Sequence, residues 1–216
     1  MTNSLRLHGY WRSSASYRVR IALNLKGISY DQVTHDLRRN EQAAPAYRNI
    51  APQGLVPALE TQDGVLTQSP AILEWIEERW PAPPLLPKDL HGRAIVRAMA
   101  ALIGCDIHPL NNLRVLRVLQ NEFQLTQEQT NAWAGRWIHE GFQALEILAG
   151  QHGSLFCYCD QPTLADCYLV PQIYNAERFG VGLSQFPKLD AIAARALTLP
   201  AFADAHPRRQ PDGEPA

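Results

Sequence analysis

The sequence carries no surplus of either charge: 20 Lys+Arg stand against 21 Asp+Glu, a net −1 in 216 residues. A nucleic-acid-binding chain would show a basic face or domain, and an acidic disordered chain would combine excess negative charge with few apolar residues. With 46% hydrophobic residues, the composition excludes the second and gives no support to the first. No run approaches the ~18 consecutive apolar residues of a membrane helix. The opening Met-Thr-Asn-Ser-Leu-Arg lacks the charged-then-apolar layout of an export signal. The expectation is a soluble, cytoplasmic protein with no nucleic-acid or membrane partner. Cysteine is scarce too. Cys105, Cys157, Cys159 and Cys167 form no C-x-x-C pair and no Cys/His cluster at zinc spacing. They read as reduced, packed thiols, with Cys157 and Cys159 on one face of an extended segment, and no metal site is expected.

What is present divides at a proline-rich stretch. Residues 1–85 alternate strand-like and helix-like patterns in the order β-α-β-α-β-β-α. Leu5 to Trp11 reads as a strand. A helix follows the Ser13-Ser14-Ala15-Ser16 cluster, with Val19, Ala22 and Leu23 on its apolar face and Gly27 as its stop. A second strand spans Ile28 to Val33, and Asp36 to Arg48 holds a short irregular helix. Two strands, Val56 to Glu60 and Val65 to Thr67, flank an Asp63-Gly64 turn. Ser69-Pro70 then opens a helix as N-cap and first residue; Glu74, Glu77 and Glu78 face outward. Residues 81–89, rich in Pro, form a linker. Residues 90–216 read as all-helical: one long element from Arg93 to about Leu119 kinked at His108-Pro109, a second from Gln127, and a third opened by the capping-box pattern Thr163-Leu164-Ala165-Asp166. Two short helices precede the tail.

Two strand-to-helix turns pair hydroxyls with a helix start, Trp11 to Ser16 and Gln68-Ser69. A helix N-terminus offers open N–H groups and about half a positive charge, which suits an anion; the same serines also read simply as caps. A small anionic molecule could bridge the two turns. Between them lies Leu55-Val56-Pro57, a candidate cis peptide. In the helical part, His108 and Asn112 are spaced to share a helix face, as are Asn111 and Arg114, beside Asp106. Arg12, Arg114 and Arg178 are arginines that could reach one cleft.

These residues resemble a known family. The run Trp11 to Leu23 is similar to the signature of zeta-class glutathione transferases. So are Leu55-Val56-Pro57-Ala58-Leu59, Gln68-Ser69-Pro70-Ala71-Ile72, Asp106 to Asn112, Thr163 to Asp166, and the tail His206-Pro207-Arg208-Arg209-Gln210-Pro211-Asp212. The resemblance implies a thioredoxin-like N-terminal domain, an all-α C-terminal domain, a homodimer, and glutathione as cofactor. It implies Ser13, Ser14 and Ala15 at the sulfur, Val56 before a cis Pro57 at the cysteinyl part, and Gln68 and Ser69 at the γ-glutamyl carboxylate. Gln42, Asp106, His108, Asn112 and Arg114 match other pocket positions, and Arg12, Arg114 and Arg178 match arginines assigned to substrate carboxylates. The implied activity is glutathione-dependent cis–trans isomerisation of a maleyl-type enedione acid: maleylacetoacetate first, with maleylpyruvate isomerisation or general glutathione transfer as alternatives. A non-enzymatic binding protein of the same fold is least favoured. Most members read Ser-Ser-Cys-Ser where this chain has Ala15, which leaves glutathione as the sulfur source.

Overall fold

The computed structural model describes residues 5–213. The chain forms two compact units: residues up to Pro84 together with the segment from Thr198 onward, and Leu85–Leu197.

The first unit begins β1 (Leu5–Gly9), α1 (Ser14–Leu25), β2 (Tyr30–Thr34), a 3-10 turn (Glu41–Ala43), α2 (Pro45–Arg48), β3 (Ala58–Thr61), β4 (Gly64–Thr67) and α3 (Ser69–Arg79). The four strands form one sheet in the order β2-β1-β3-β4, parallel between β1 and β2 and antiparallel elsewhere. This is the thioredoxin-like arrangement. The second unit holds α4 (Leu90–Ala101), a π-helical segment (Leu102–Ile107), a 3-10 turn (His108–Asn111), α5 (Leu113–Asn121), α6 (Gln127–His152), α7 (Leu164–Arg178) and α8 (Pro187–Leu197). The chain then returns to the first unit as α9 (Pro200–Ala205) and a 3-10 turn (Pro207–Arg209).

That return differs from the expectation that residues 90–216 make one helical domain, and its cause is α1. Sequence periodicity gives α1 one apolar face, yet every residue from Ser14 to Leu23 is buried. α3 covers one side and α9 another. The polar positions of α1 hold the returning segment: Tyr17 OH donates to Phe202 O at 3.4 Å, Arg20 Nε to Ala205 O at 3.0 Å, and Asn24 Nδ2 to Ala201 O at 3.0 Å. α1 ends as Gly27 predicts. Gly27 takes φ +69°, its N–H donates to Asn24 O and that of Ile28 to Leu23 O, the paired bonds of a Schellman motif.

Four further expectations are corrected. Gln68, not Ser69, is the N-cap residue of α3, so Ser69 is the first helical residue and Pro70 the second. Glu77 does not face solvent: it is buried against Lys26, Nζ to Oε2 at 2.5 Å, and Lys26 also donates to Pro83 O at 2.6 Å. Arg93 to Leu119 is not one kinked helix. Pro109 lacks an N–H and its ring opposes a regular turn before it. The backbone widens to π-helix, tightens to 3-10, and breaks at Asn112, whose ψ is 144°; Asn112 then caps a new helix. Finally, Cys157 and Cys159 do not share a face. Cys157 is buried with its N–H on Asp166 Oδ1 at 2.8 Å, whereas Cys159 is exposed at φ +55°. Cys167 is buried, and Cys105 is exposed rather than packed.

The capping box forms as expected. Asp166 Oδ2 accepts from Thr163 N at 2.8 Å and from Thr163 Oγ1 at 2.9 Å. Burial pushes its carboxyl pKa up while these bonds oppose the shift. Among the described residues, no helix is long and apolar enough to cross a membrane and no group of His, Cys, Asp and Glu could hold a metal ion.

Candidate active site

Strand pairing brings three distant segments to one sheet edge. His8 near the end of β1 pairs with Ala58 at the start of β3, and Ala58 pairs with Thr67 at the end of β4. Because β3 runs antiparallel to both neighbours, the exit of β1, the entry to β3 and the exit of β4 share that edge. The turn Tyr10–Ser13, the Val56-Pro57 peptide and Gln68-Ser69 all emerge there. Val56-Pro57 is cis, and the β1/β3 ladder begins only at Ala58, so the Val56 peptide lies outside it.

The first segment is a tight turn closed by Ser13 N–H donating to Tyr10 O at 3.0 Å. Arg12 is half-buried with its guanidinium over the Trp11 ring, 5.4 Å from the centroid. Ser13 is the N-cap of α1, and its Oγ accepts from Ser16 N at 3.2 Å. That bond fixes the oxygen and leaves the hydroxyl proton to be given away. Ser16 N–H is taken by the cap and Tyr17 N–H by Ser13 O, so Ser14 and Ala15 hold the open N–H groups of the first turn. Ser14 is buried. The hydroxyls of Ser13 and Ser14 and the N–H groups of Ser14 and Ala15 at a helix N-terminus make a donor set that fits a thiolate.

The second segment fits a carboxylate. Gln68 takes φ +67°, ψ 112° and places no side-chain bond on the helix it opens. A glutamine in that conformation costs about 1–3 kcal/mol, as residues held at functional sites do. Its Nε2 donates instead to Gln53 Oε1. Ile72 N–H is used by Gln68 O and Pro70 has none, so Ser69 and Ala71 present the open N–H groups. Ser69 is 4% exposed, and its Oγ accepts from Arg18 Nη1 at 3.3 Å. Arg18, itself 1% exposed, therefore places a guanidinium beneath the start of α3, one turn along α1 from Ser14. Its charge adds to the helix dipole in favouring an anion.

Gln42 lies on the 3-10 turn after β2, with Nε2 on Asn40 Oδ1 at 2.8 Å. Its Oε1 is buried without a partner among the described residues. A Cβ on Gly54 would stand 2.9 Å from Gln42 O, so Gly54, at φ +63°, lets this turn close on the loop that carries Gln53. Tyr47 pins the same loop, its hydroxyl donating to Leu55 O at 2.8 Å; burial pushes that phenol pKa upward.

The remaining expected residues belong to the second unit. Asp106 is exposed on the π-helical segment, and His108 is half-buried at the start of the 3-10 turn. His108 does not share a helix face with Asn112, nor Asn111 with Arg114, because the helix breaks at Asn112. Asn112 Oδ1 accepts from Arg114 N at 3.1 Å, which makes Asn112 the cap of α5. Arg114 is exposed in the first turn of α5. Arg178 is exposed near the end of α7, held by Asn175 Oδ1 at 3.2 Å and lying over the Phe179 ring.

Sequence reasoning missed Arg18 and Gln53. Arg18 had a signal: a charged residue four positions after Ser14, one helical turn along the same face. Gln53 had none, because its role depends on where a loop passes α3.

Residues 12–79 match the family model for the glutathione S-transferase N-terminal domain. A maleylpyruvate isomerase of Ralstonia sp. is 48% identical over 210 residues, 96% of this chain and 99% of that protein. A maleylacetoacetate isomerase of Pseudomonas aeruginosa is 49% identical over 211 residues, covering 96% and 98%. Among solved structures, the holo form of maleylpyruvate isomerase, a bacterial zeta-class glutathione S-transferase, superposes with a TM-score of 0.95 at 48% identity, over 97% of this chain and all of that one. The maleylacetoacetate isomerase of Anaeromyxobacter dehalogenans with glutathione bound in its active site gives 0.89 at 46% identity, over 98% of each chain. With likeness of that degree spanning nearly its whole length, and with both hydroxyl-bearing helix starts of the class in place, this chain belongs to the zeta class of the glutathione transferase family.

Proposed function

We propose that this protein is a glutathione-dependent cis–trans isomerase of maleyl-type enedione acids, with maleylacetoacetate to fumarylacetoacetate as its reaction. The observation that carries the reading is the shared sheet edge, where a thiolate-suited helix start, the Val56 peptide and a carboxylate-suited helix start meet. Glutathione supplies, when bound, a thiolate that adds reversibly to the cis double bond and so frees it to rotate, with no net redox change.

The chain's own work begins with ionisation. A thiol of pKa about 8.5 is only roughly 3% ionised at pH 7. Lowering that pKa by ~2 units needs ~2.7 kcal/mol of selective stabilisation. A hydrogen bond to a charged group supplies about 1.5–3 kcal/mol, and a helix N-terminus about 0.3–1 kcal/mol. Ser13, with its oxygen fixed by the cap and its proton unspent, and the α1 terminus together meet that requirement. Ionisation alone then gains about 25–30-fold. The rest falls to positioning and to charge placed against the substrate. Gln68, Ser69, the Ala71 N–H and Arg18 anchor the γ-glutamyl carboxylate, and Val56 and Gln42 hold the remainder of the tripeptide. Arg12, Arg114 and Arg178 bind the substrate's carboxylates and face the negative charge that develops on its carbonyl oxygen. Asp106 and His108 are assigned to glutathione and substrate by the likeness to the class, and Asn112 acts by setting where Arg114 begins.

Maleylpyruvate is the second reading, favoured by the close structural likeness to a maleylpyruvate isomerase. Turnover of both substrates side by side, with and without glutathione, tests the proposal; no glutathione-dependent conversion of either would overturn it. The reading carries a homodimer in the cytoplasm with it, and light scattering tests the dimer.

A further inference from the structure

The tail motif His206 to Asp212 has no part in the chemistry above, yet it ends on the active-site turn. Asp212 Oδ2 accepts from Trp11 N–H at 3.0 Å, across 201 residues of sequence. The other backbone group of Trp11 is held as well: Arg20 Nη2 donates to Trp11 O at 2.9 Å. Arg20 is 1% exposed, and its Nε is fixed on Ala205 O, the last residue of α9. Trp11 is therefore gripped on both backbone groups, once by the tail and once by an α1 side chain that the tail anchors. The tail is itself built to stay in place. Gln210 Nε2 donates to Asp204 O at 2.8 Å and to His206 O at 2.9 Å, and Gln210 Oε1 accepts from Gln32 Nε2 at 3.1 Å. Trp11 is the residue before Arg12 and two before Ser13, in the turn closed by Ser13 N–H on Tyr10 O. Any rotation of the Trp11 backbone moves both groups.

We infer that Asp212 is a positioning residue for the reaction: through the Trp11 N–H it sets where Arg12 and the Ser13 hydroxyl stand. It touches neither cofactor nor substrate in this role. The inference rests on the reading of Ser13 as the sulfur's hydrogen-bond donor. Misplacing a reacting group by about 1 Å costs on the order of 100-fold in rate, so a loosened turn is expected to lower kcat by about 10- to 100-fold.

Three variants test it. Asp212→Ala removes the acceptor. Asp212→Asn keeps an acceptor oxygen without the charge. Asn24→Ala removes a different tie between α1 and the returning segment, Asn24 Nδ2 to Ala201 O, and leaves Trp11 alone. Three quantities are read well below each variant's Tm: hydrogen exchange at the Trp11 amide in the free protein, the pH profile of glutathione-dependent kcat, and KM. Asp212→Ala is expected to lose Trp11 protection, to lower kcat with a smaller change in KM, and to move the acid limb of the profile upward. Asp212→Asn is expected to restore the protection and the profile. Asn24→Ala is expected to lower Tm without moving the profile. Unchanged exchange and an unchanged profile in Asp212→Ala would overturn the inference. So would equal damage in Asp212→Asn, or an equal profile shift in Asn24→Ala. Because exchange at Trp11 is read without glutathione, failure of the inference stays distinct from failure of the isomerase reading, which the wild-type turnover decides.

Discussion

Substitution at Ser13 separates the capping job of its hydroxyl from the donor job that the proposed function gives it. Its oxygen accepts the Ser16 N–H at 3.2 Å, and its proton remains for the sulfur. Ser13→Ala abolishes both. Loss of an N-cap costs about 0.5–2 kcal/mol, which in a chain of this size lowers Tm by about 2–4 °C per kcal/mol. Loss of a hydrogen bond to a charged group costs about 1.5–3 kcal/mol, which at 1.36 kcal/mol per unit raises the bound thiol's pKa by about 1–2 units. Ser13→Asp divides the two effects. Aspartate caps a helix as well as serine does, but an ionised carboxylate has no proton to donate and repels an adjacent anion. Its Tm should stay near the wild-type value while the thiol pKa rises at least as far as in Ser13→Ala. Ser14→Ala, in contrast, removes a hydroxyl that caps nothing and should move both quantities little. Thiolate absorbance of the protein–glutathione complex, titrated against pH, gives the pKa, and thermal denaturation gives the Tm. A wild-type thiol pKa in Ser13→Asp, or a larger shift from Ser14→Ala than from Ser13→Ala, would refute the assignment.

Other outcomes follow from the same geometry. Saturating glutathione should raise Tm by linkage, an effect of about 2.7 kcal/mol at 100 times Kd, and Ser69→Ala or Gln68→Ala should shrink the shift at fixed concentration. Each of Arg12→Ala, Arg114→Ala and Arg178→Ala should slow isomerisation by about 10- to 150-fold and slow conjugation of an uncharged electrophile less; equal losses on both would make the arginine structural. With Ala15 in the usual cysteine's place, a variant lacking Cys105, Cys157, Cys159 and Cys167 that still folds by circular dichroism should keep most of its activity, while S-methylglutathione should support none. Burial, then the guanidiniums of Arg208, Arg20 and Arg209, hold His206 below its ordinary pKa of 6.5. The unfolded chain therefore binds more protons, so stability is full above about pH 6.5 and lost as pH falls through the folded value. His206→Asn should flatten that dependence of Tm on pH.

Much of the site was legible in the chain because caps and turns are local devices. A serine cluster after a strand, a serine–proline pair after another, and Thr163 three residues before Asp166 each announce a helix start through short-range hydrogen bonding, and each helix begins within a residue of its signal. The order of strands and helices in the first 80 residues followed from periodicity for the same reason. The tertiary structure decided what those signals meet. Only the row of pairs from His8 through Ala58 to Thr67 sets Ser13, Val56 and Ser69 on one edge, and register between strands depends on contacts about 50 residues apart. Burial is equally non-local. Glu77 reads as an outward-facing residue until Lys26 closes over it, and Arg18 and Arg20 are buried on a helix whose periodicity shows one apolar face. The tail could be recognised by its motif, but its grip on Trp11 arises only because α1 needs cover on the side that α3 leaves open.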